Sequence, residues 1–217
     1  MNQPYIGIYG ASGFGKEVMP VVRQQFAHLS QDHFVFIDDG QAGTVLNGYP
    51  VLSYPDFVSQ PHVDKAVSIA IANSQAREKL AQRLTQDQIK HLDIRASNTI
   101  ILDAVEIGEG SLLCPFSCLT SNIKIGRFFH ANIYSYVAHD CVIGDFVTFA
   151  PGVKCNGNIH IEDHAYIGTG AVIKQGTPDK PLVIGRGAIV GMGAVVTKSV
   201  PAGVTVVGNP ARVLEKK

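Results

Sequence analysis

The chain has 217 residues, and its 18 basic and 18 acidic side chains give a formal net charge of zero. That balance leaves no basic footprint for nucleic acid, and no run of about 18 apolar residues exists that could span a membrane. With 46% apolar residues, a buried core is affordable for two small domains or one large one. Met1 to Tyr9 lacks a basic stretch followed by a long apolar one, so no secretory leader is expected and the cytoplasm is the expected location. Cys114, Cys118, Cys141 and Cys155 show no CxxC pairing and read as reduced, small core residues.

Up to about residue 96 the pattern alternates strands and helices. Tyr5 to Tyr9 is a short apolar strand running into Gly10-Ala11-Ser12-Gly13-Phe14-Gly15. Val18, Val21, Val22 and Phe26 then recur at helical spacing, with Pro20 tolerable only near the helix start. His33 to Ile37 is a second strand closed by Asp38-Asp39-Gly40, and Lys65 to Ala72 is a third. Asn73-Ser74 then opens a helix through Leu84. Such an order predicts a small parallel sheet with helices packed on it.

From residue 97 the grammar changes to a period of six. Aliphatic or small residues fall at every sixth position from Ile101 through Val137, Cys155 and Ile167 to Ile173 without a slip. Four places after each anchor the residue is often small, as at Ser111, Ser135, Cys141, Val153 and Ala171. The repeat resumes at Ile184, so a five-residue loop around Thr177–Pro181 interrupts one hexad before Val190 and Val196 continue it. Two inward slots per six residues predict a triangular solenoid. A β-sandwich would show period-two alternation with turns about 8–12 residues apart.

The hexads resemble the hexapeptide-repeat acyltransferases. Three further stretches narrow the match: Val137-Ala138-His139-Asp140-Cys141-Val142-Ile143-Gly144-Asp145-Phe146, Lys154-Cys155-Asn156-Gly157-Asn158, and Val207-Gly208-Asn209-Pro210-Ala211-Arg212. With the Gly10–Gly15 loop and Asp38-Asp39, the whole chain is similar to the sialic-acid O-acetyltransferase and nucleotide-4-aminosugar N-acetyltransferase family. The resemblance implies a Rossmann-like nucleotide-sugar-binding domain over 1–96 and a left-handed parallel β-helix over 97–217. It also implies acetyl-CoA as co-substrate, a homotrimer, and no metal. The left hand comes from the family, because parallel crossovers are normally right-handed.

His139 occupies the third place of its hexad, outside the inward slots, so it projects outward. A lone surface histidine is usually just solvated. The resemblance places the general base here, and an imidazole can take a proton near neutral pH. Asp140 would orient the ring. Gly157 follows His139 by 18 residues, one full coil, and its N–H could face the thioester oxygen, or it is a plain turn glycine. Asn132 is a positioning residue by resemblance, or a corner asparagine. Cys141 and Cys155 raise a covalent acetyl-cysteine route, but their inward slots favour direct transfer.

The GxxGxG of Gly10–Gly15, set between strand and helix, offers backbone N–H groups to an anion. Asp38 closes a strand where an acidic residue commonly meets a ribose hydroxyl; helix capping is the plainer reading. The resemblance assigns Gly10, Ser12, Gly13, Phe14, Asp38, Asp39, Ala72 and Asn73 to the nucleotide sugar, and Thr148, Gly157, Thr169 and Met192 to acetyl-CoA. The family often carries histidine where this chain has Phe14 and Thr148. His160 and His164 carry a helix-type metal spacing, but on hexads they fall on different slots.

These readings converge on acetylation of the C4 amine of a 4-amino-4,6-dideoxy sugar carried on a nucleotide, UDP favoured, in bacterial glycan biosynthesis. The alternatives are O-acetylation of a sialic-acid-type sugar, a non-catalytic nucleotide-sugar-binding scaffold, and a zinc hydratase.

Overall fold

The computed structural model describes residues 3–215. The chain forms two compact units, one ending at Ser97 and the other beginning at Asn98.

In the first unit β1 (Tyr5–Tyr9) and β2 (Phe34–Ile37) are buried along their whole lengths, as central strands covered on both faces are. A hairpin of β3 (Val45–Leu46) and β4 (Tyr49–Leu52) lies beyond β2, and β5 (Lys65–Ile69) and β6 (Lys90–His91) lie beyond β1. The sheet order is β3-β4-β2-β1-β5-β6, with only the β3–β4 pair antiparallel. Helices α1 (Gly13–Gln25), α2 (Tyr54–Ser59) and α3 (Ser74–Gln86) complete the unit. Since β2 and β5 flank β1 on opposite sides, the strand order reverses at β1. Ligands of such sheets bind outside the carboxyl ends of the strands at that point.

The structure corrects several local readings. Pro20 lies inside α1, not near its start. It sits on the exposed side, where the Lys16 carbonyl can bond water in place of the missing N–H. His33 ends a 3₁₀ turn, Gln31–His33, so the second strand starts at Phe34. The third strand ends at Ile69, where Ala70 N–H makes a last bond to the Tyr9 carbonyl at 2.8 Å, and Ile71-Ala72 peel away. Helix α3 runs two residues past Leu84, to Gln86.

The second unit is a three-sided parallel solenoid. Its three sheets stack strands of neighbouring coils in register, as in Val137↔Cys155, Ala131↔Phe149 and Ile125↔Ile143, each 18 residues apart. The first face carries His130–Ala131 and Thr148–Phe149, the second Tyr136–Val137 and Lys154–Cys155, the third Val142–Ile143 and Ile159–Ile161. Leu119, Val137, Cys155, Ile167 and Ile173 fill the interior at no exposure, and the fifth-place residues Cys141, Val153, Ala165 and Ala171 fill the gaps between them. Ile161 pairs Ile184, so the register absorbs a five-residue insertion there. One coil later Val190 pairs Val206, and that coil is two residues short. A final antiparallel strand, Arg212–Val213, covers the edge left by Thr205–Val207.

A second six-residue rhythm lies in the backbone. Ala104, Phe116, Asn122, Phe128, Tyr134, Asp140, Phe146, Asn158 and His164 all have φ between 53° and 61°. Each is the fourth residue of its hexad, where the chain turns a corner. Bulky residues are costly there, and stacking down the corner offsets it. Phe128, Phe146 and His164 form a ladder at 5.0 and 5.4 Å, and Phe116 stacks on Tyr134 at 4.9 Å.

Candidate active site

His139 and Asp140 share the corner between the second and third faces. Asp140 holds the left-handed conformation, with φ of 57°, which brings its carboxylate beside the preceding side chain. Its Oδ2 lies 2.7 Å from His139 Nδ1. The contact with His139, and after it a hydrogen bond from Asn122 at 3.2 Å, holds the Asp140 carboxyl below the usual carboxylate range. An ionised carboxylate only accepts, so Nδ1 carries the ring proton and Nε2 keeps its lone pair for chemistry. Both side chains are nearly half exposed, at 47% and 46%.

Gly157 lies directly over the imidazole. A Cβ at that position would stand 2.5 Å from His139 Cε1 and Nε2, so only glycine lets the ring lie against the backbone. The His139 carbonyl accepts from Asn158 N–H at 3.0 Å, which fixes the two coils together here. Gly157 N–H makes no hydrogen bond among the described residues. Beside it, Asn156 accepts from the Tyr136 hydroxyl at 2.8 Å and donates to the Ile173 carbonyl at 2.8 Å. Neither Asn122 nor the Tyr136–Asn156 pair was singled out from the sequence. The one available signal was arithmetic: Asn122 precedes Asp140 by 18 residues, one coil.

Cys141 and Cys155 are fully buried, with Cys141 Sγ donating to the Asn156 carbonyl at 3.2 Å. Its hydrogen bond with Cys141, and then burial, push the Cys155 thiol well up. Cys118 corrects the cysteine reading, being only partly buried.

The other candidates of this unit stand elsewhere in the one chain. Asn132 sits at the corner between the first and second faces, where its side-chain oxygen accepts the Ile133 N–H at 2.7 Å. Thr169 and Met192 stack on that same corner, joined by Gly193 N–H to the Thr169 carbonyl at 2.8 Å, and Met192 is 81% exposed. Thr148 is buried at 5% exposure on the first face and gives a ligand almost no surface. His160 points outward from the third face while His164 stacks on Phe146. Among the described residues no group of three His, Cys, Asp or Glu side chains is placed to hold a metal ion.

In the first unit, the loop after β1 and the segment after β5 border the crevice at the strand-order reversal. A Cβ on Gly15 would lie 1.9 Å from the Gly10 carbonyl, so Gly15 is required for α1 to pack against the loop. Gly13 faces open space. Ser12 precedes α1 without a side-chain capping bond, so its hydroxyl is not spent on the helix. The Asp38 carboxylate closes the loop instead, accepting from Ala11 N–H at 3.2 Å and Gly40 N–H at 3.0 Å. Asp39 accepts from Tyr54 N–H at 2.7 Å and Asn73 caps α3 through Ala76 N–H at 2.9 Å. Arg77, fully buried, donates to the Ile71 and Ala72 carbonyls at 2.7 and 3.2 Å and so shapes this edge. Nothing in a helical Arg-Glu-Lys run marks it as buried.

A family model described as the PglD N-terminal domain matches residues 5–84. A GDP-perosamine N-acetyltransferase of Escherichia coli O157:H7 is 51% identical over 212 residues, covering 97% of this chain and 96% of its own. The solved structure of WeeI from Acinetobacter baumannii AYE shares 79% identity with a TM-score of 0.97, covering 98% of this chain and 100% of that one. The acetyltransferase domain of PglB from Neisseria gonorrhoeae FA1090, solved with acetyl coenzyme A, shares 27% identity over 99% of this chain and 100% of that one, with a TM-score of 0.87. The chain belongs to the sialic-acid O-acetyltransferase and nucleotide-4-aminosugar N-acetyltransferase family. It is an acetyl-CoA-dependent acetyltransferase, built as a Rossmann-like unit followed by a left-handed parallel β-helix.

Proposed function

We propose that the protein transfers acetyl from acetyl-CoA to the C4 amine of a nucleotide-linked 4-amino-4,6-dideoxy sugar in bacterial glycan biosynthesis, with His139 as general base. The observation that carries this reading is the Asn122–Asp140–His139 chain lying against Gly157. Asp140 holds the ring and stabilises the imidazolium. His139 Nε2 takes a proton from the amine as the nitrogen–carbon bond forms. The Gly157 N–H donates to the oxyanion, and the imidazolium returns a proton to the departing sulfur as the carbon–sulfur bond breaks. Burial of both neighbouring thiols supports direct transfer over an acetyl-cysteine.

The crevice of the first unit takes the nucleotide, its phosphates on the Gly10–Gly13 amides and the start of α1. This remote handle supplies binding energy away from the reacting atoms. The sequence reading favours UDP. The relative of 51% identity is named for a GDP sugar, which favours guanine. The cytoplasm is the proposed place of the reaction. The acetyl-CoA candidates Thr169 and Met192 lie at the opposite corner of the second face from His139. A homotrimer that sets one chain's corner against its neighbour's would bring the two groups together. The exposed Ile100, Leu102, Phe116 and Tyr134 on this side of the solenoid support such packing.

The test is coenzyme A thiol release with UDP-, GDP- and dTDP-4-amino sugars and free sialic acid, with mass analysis of product. Amide formation on a nucleotide sugar is expected. Turnover on sialic acid alone contradicts the reading and favours O-acetylation.

A further inference from the structure

Along the second face, the backbone N–H at the second place of a hexad donates to the first-place carbonyl of the coil above. Leu102, Thr120, Ala138 and Lys174 make this bond to Leu119, Val137, Cys155 and Val196, at 2.8–3.0 Å. Asn156, in the same column, breaks the pattern. Among the described residues its N–H makes no hydrogen bond, and the carbonyl it would use, that of Ile173, accepts from the Asn156 side chain at 2.8 Å instead. Asparagine suits this exchange, because its side-chain amide competes with backbone groups for hydrogen bonds. A backbone carbonyl only accepts, so Nδ2 faces Ile173 and Oδ1 faces Tyr136, whose hydroxyl donates to it at 2.8 Å. Each end of the amide is therefore held by a neighbour.

The exchange falls beside the base. Asn156 and Gly157 share a peptide group, and its carbonyl accepts from the fully buried Cys141 Sγ at 3.2 Å. The bond is trans, so its N–H points opposite to the carbonyl. Gly157 N–H thus points out of the solenoid, on the side where the His139 ring lies against the glycine. A thiol is a weak donor, so the anchoring of this peptide falls mainly on the Asn156 side chain.

We infer that Asn156, held by Tyr136, is a positioning residue of the acetyl transfer: its side chain stands in for the missing ladder bond and aims the Asn156–Gly157 peptide at the thioester oxygen. The inference rests on the reading of His139 as base and Gly157 as oxyanion donor. Asn156 and Tyr136 act only through the Gly157 N–H.

Steady-state kinetics on the whole protein test this, with acetyl-CoA and the preferred nucleotide sugar. Asn156→Asp keeps the shape and removes the donor to Ile173. It should lower kcat about 10–10²-fold, the range for a displaced oxyanion donor, while KM for acetyl-CoA stays within about twofold. Tyr136→Phe removes one hydroxyl from a partly exposed ring and should lower kcat about fivefold, the equivalent of one neutral hydrogen bond, with an unchanged thermal midpoint. A residue that acts through the Gly157 peptide loses its effect once that peptide is already displaced. Adding Asn156→Asp to Gly157→Ala should therefore slow turnover no more than about twofold beyond Gly157→Ala alone. A merely structural role would multiply the two losses, and that result overturns the inference. Wild-type kcat in both Asn156→Asp and Tyr136→Phe also overturns it. Should Asn156→Asp fail to fold, Tyr136→Phe decides alone, and wild-type kcat there overturns the inference. Any of these results with a slow His139→Ala leaves the base reading standing. Wild-type turnover by His139→Ala overturns that reading and this inference with it.

Discussion

Gly157 and His139 stand one coil apart in register, and the imidazole lies so close to the glycine that a Cβ there would meet Nε2 at 2.5 Å. The contact ties the proposed base to the proposed oxyanion donor, because the same missing side chain leaves the Gly157 N–H open beside the ring.

Gly157→Ala should therefore be a catalytic lesion with an intact fold. The glycine is outside the left-handed region, so alanine fits the backbone. The half-exposed ring can swing outward. Displacement of this order costs about 10²-fold in kcat, while stability should stay within about 0.5 kcal/mol. Steady-state kinetics beside a thermal melt check both.

Two glycines of the first unit should separate binding from folding. Gly13→Val is made at a position where an added Cβ meets nothing within 4 Å. It should leave the melt unchanged and raise KM for the nucleotide sugar about tenfold, or about 1.4 kcal/mol. Gly15→Ala drives a methyl into the Gly10 carbonyl and should destabilise the protein by about 1–3 kcal/mol. Asp39→Ala is a less clean probe, because Asp39 also caps the start of α2.

The solenoid was legible because its core repeats: a fixed six-residue spacing survives any choice among Ile, Val, Ala and Cys. The insertion near Thr177 showed as a break in that spacing. The two-residue shortening before Val206 did not, because it falls after the last clear anchor. In the first unit the β3–β4 hairpin went unread, although Asn47-Gly48, both with positive φ, is a strong hairpin signal. The outward place of His139 and the stacking of Gly157 over it were legible by hexad and coil arithmetic, whereas the base role proposed for His139 comes from the family resemblance. The roles of Asp38 and Arg77 were not, since both depend on backbone groups distant in sequence that a single chain of letters does not align.

Direct transfer predicts that no acetyl-enzyme accumulates. Intact mass of protein mixed with acetyl-CoA alone should show no added acetyl group, and Cys141→Ala should retain turnover within about twofold, since the Cys141 thiol is fully buried and out of reach of the thioester. A stoichiometric acetyl adduct lost in Cys141→Ala would establish the covalent route.

The split of candidate residues between two corners predicts assembly. Sedimentation at micromolar concentration should give a trimer, and Tyr134→Asp, placing a charge on an exposed aromatic at one of those corners, should weaken both assembly and activity. A fully active monomer would place the whole site within one chain.

The most direct test of the central claim is kcat for His139→Ala with acetyl-CoA and the preferred nucleotide sugar both saturating. Removing a general base should lower kcat by about 10²–10⁴-fold, with KM for either substrate nearly unchanged. Asp140→Asn should cost less, because Nε2 survives and only its orientation and the imidazolium lose support. Wild-type turnover by His139→Ala would remove this histidine from the mechanism.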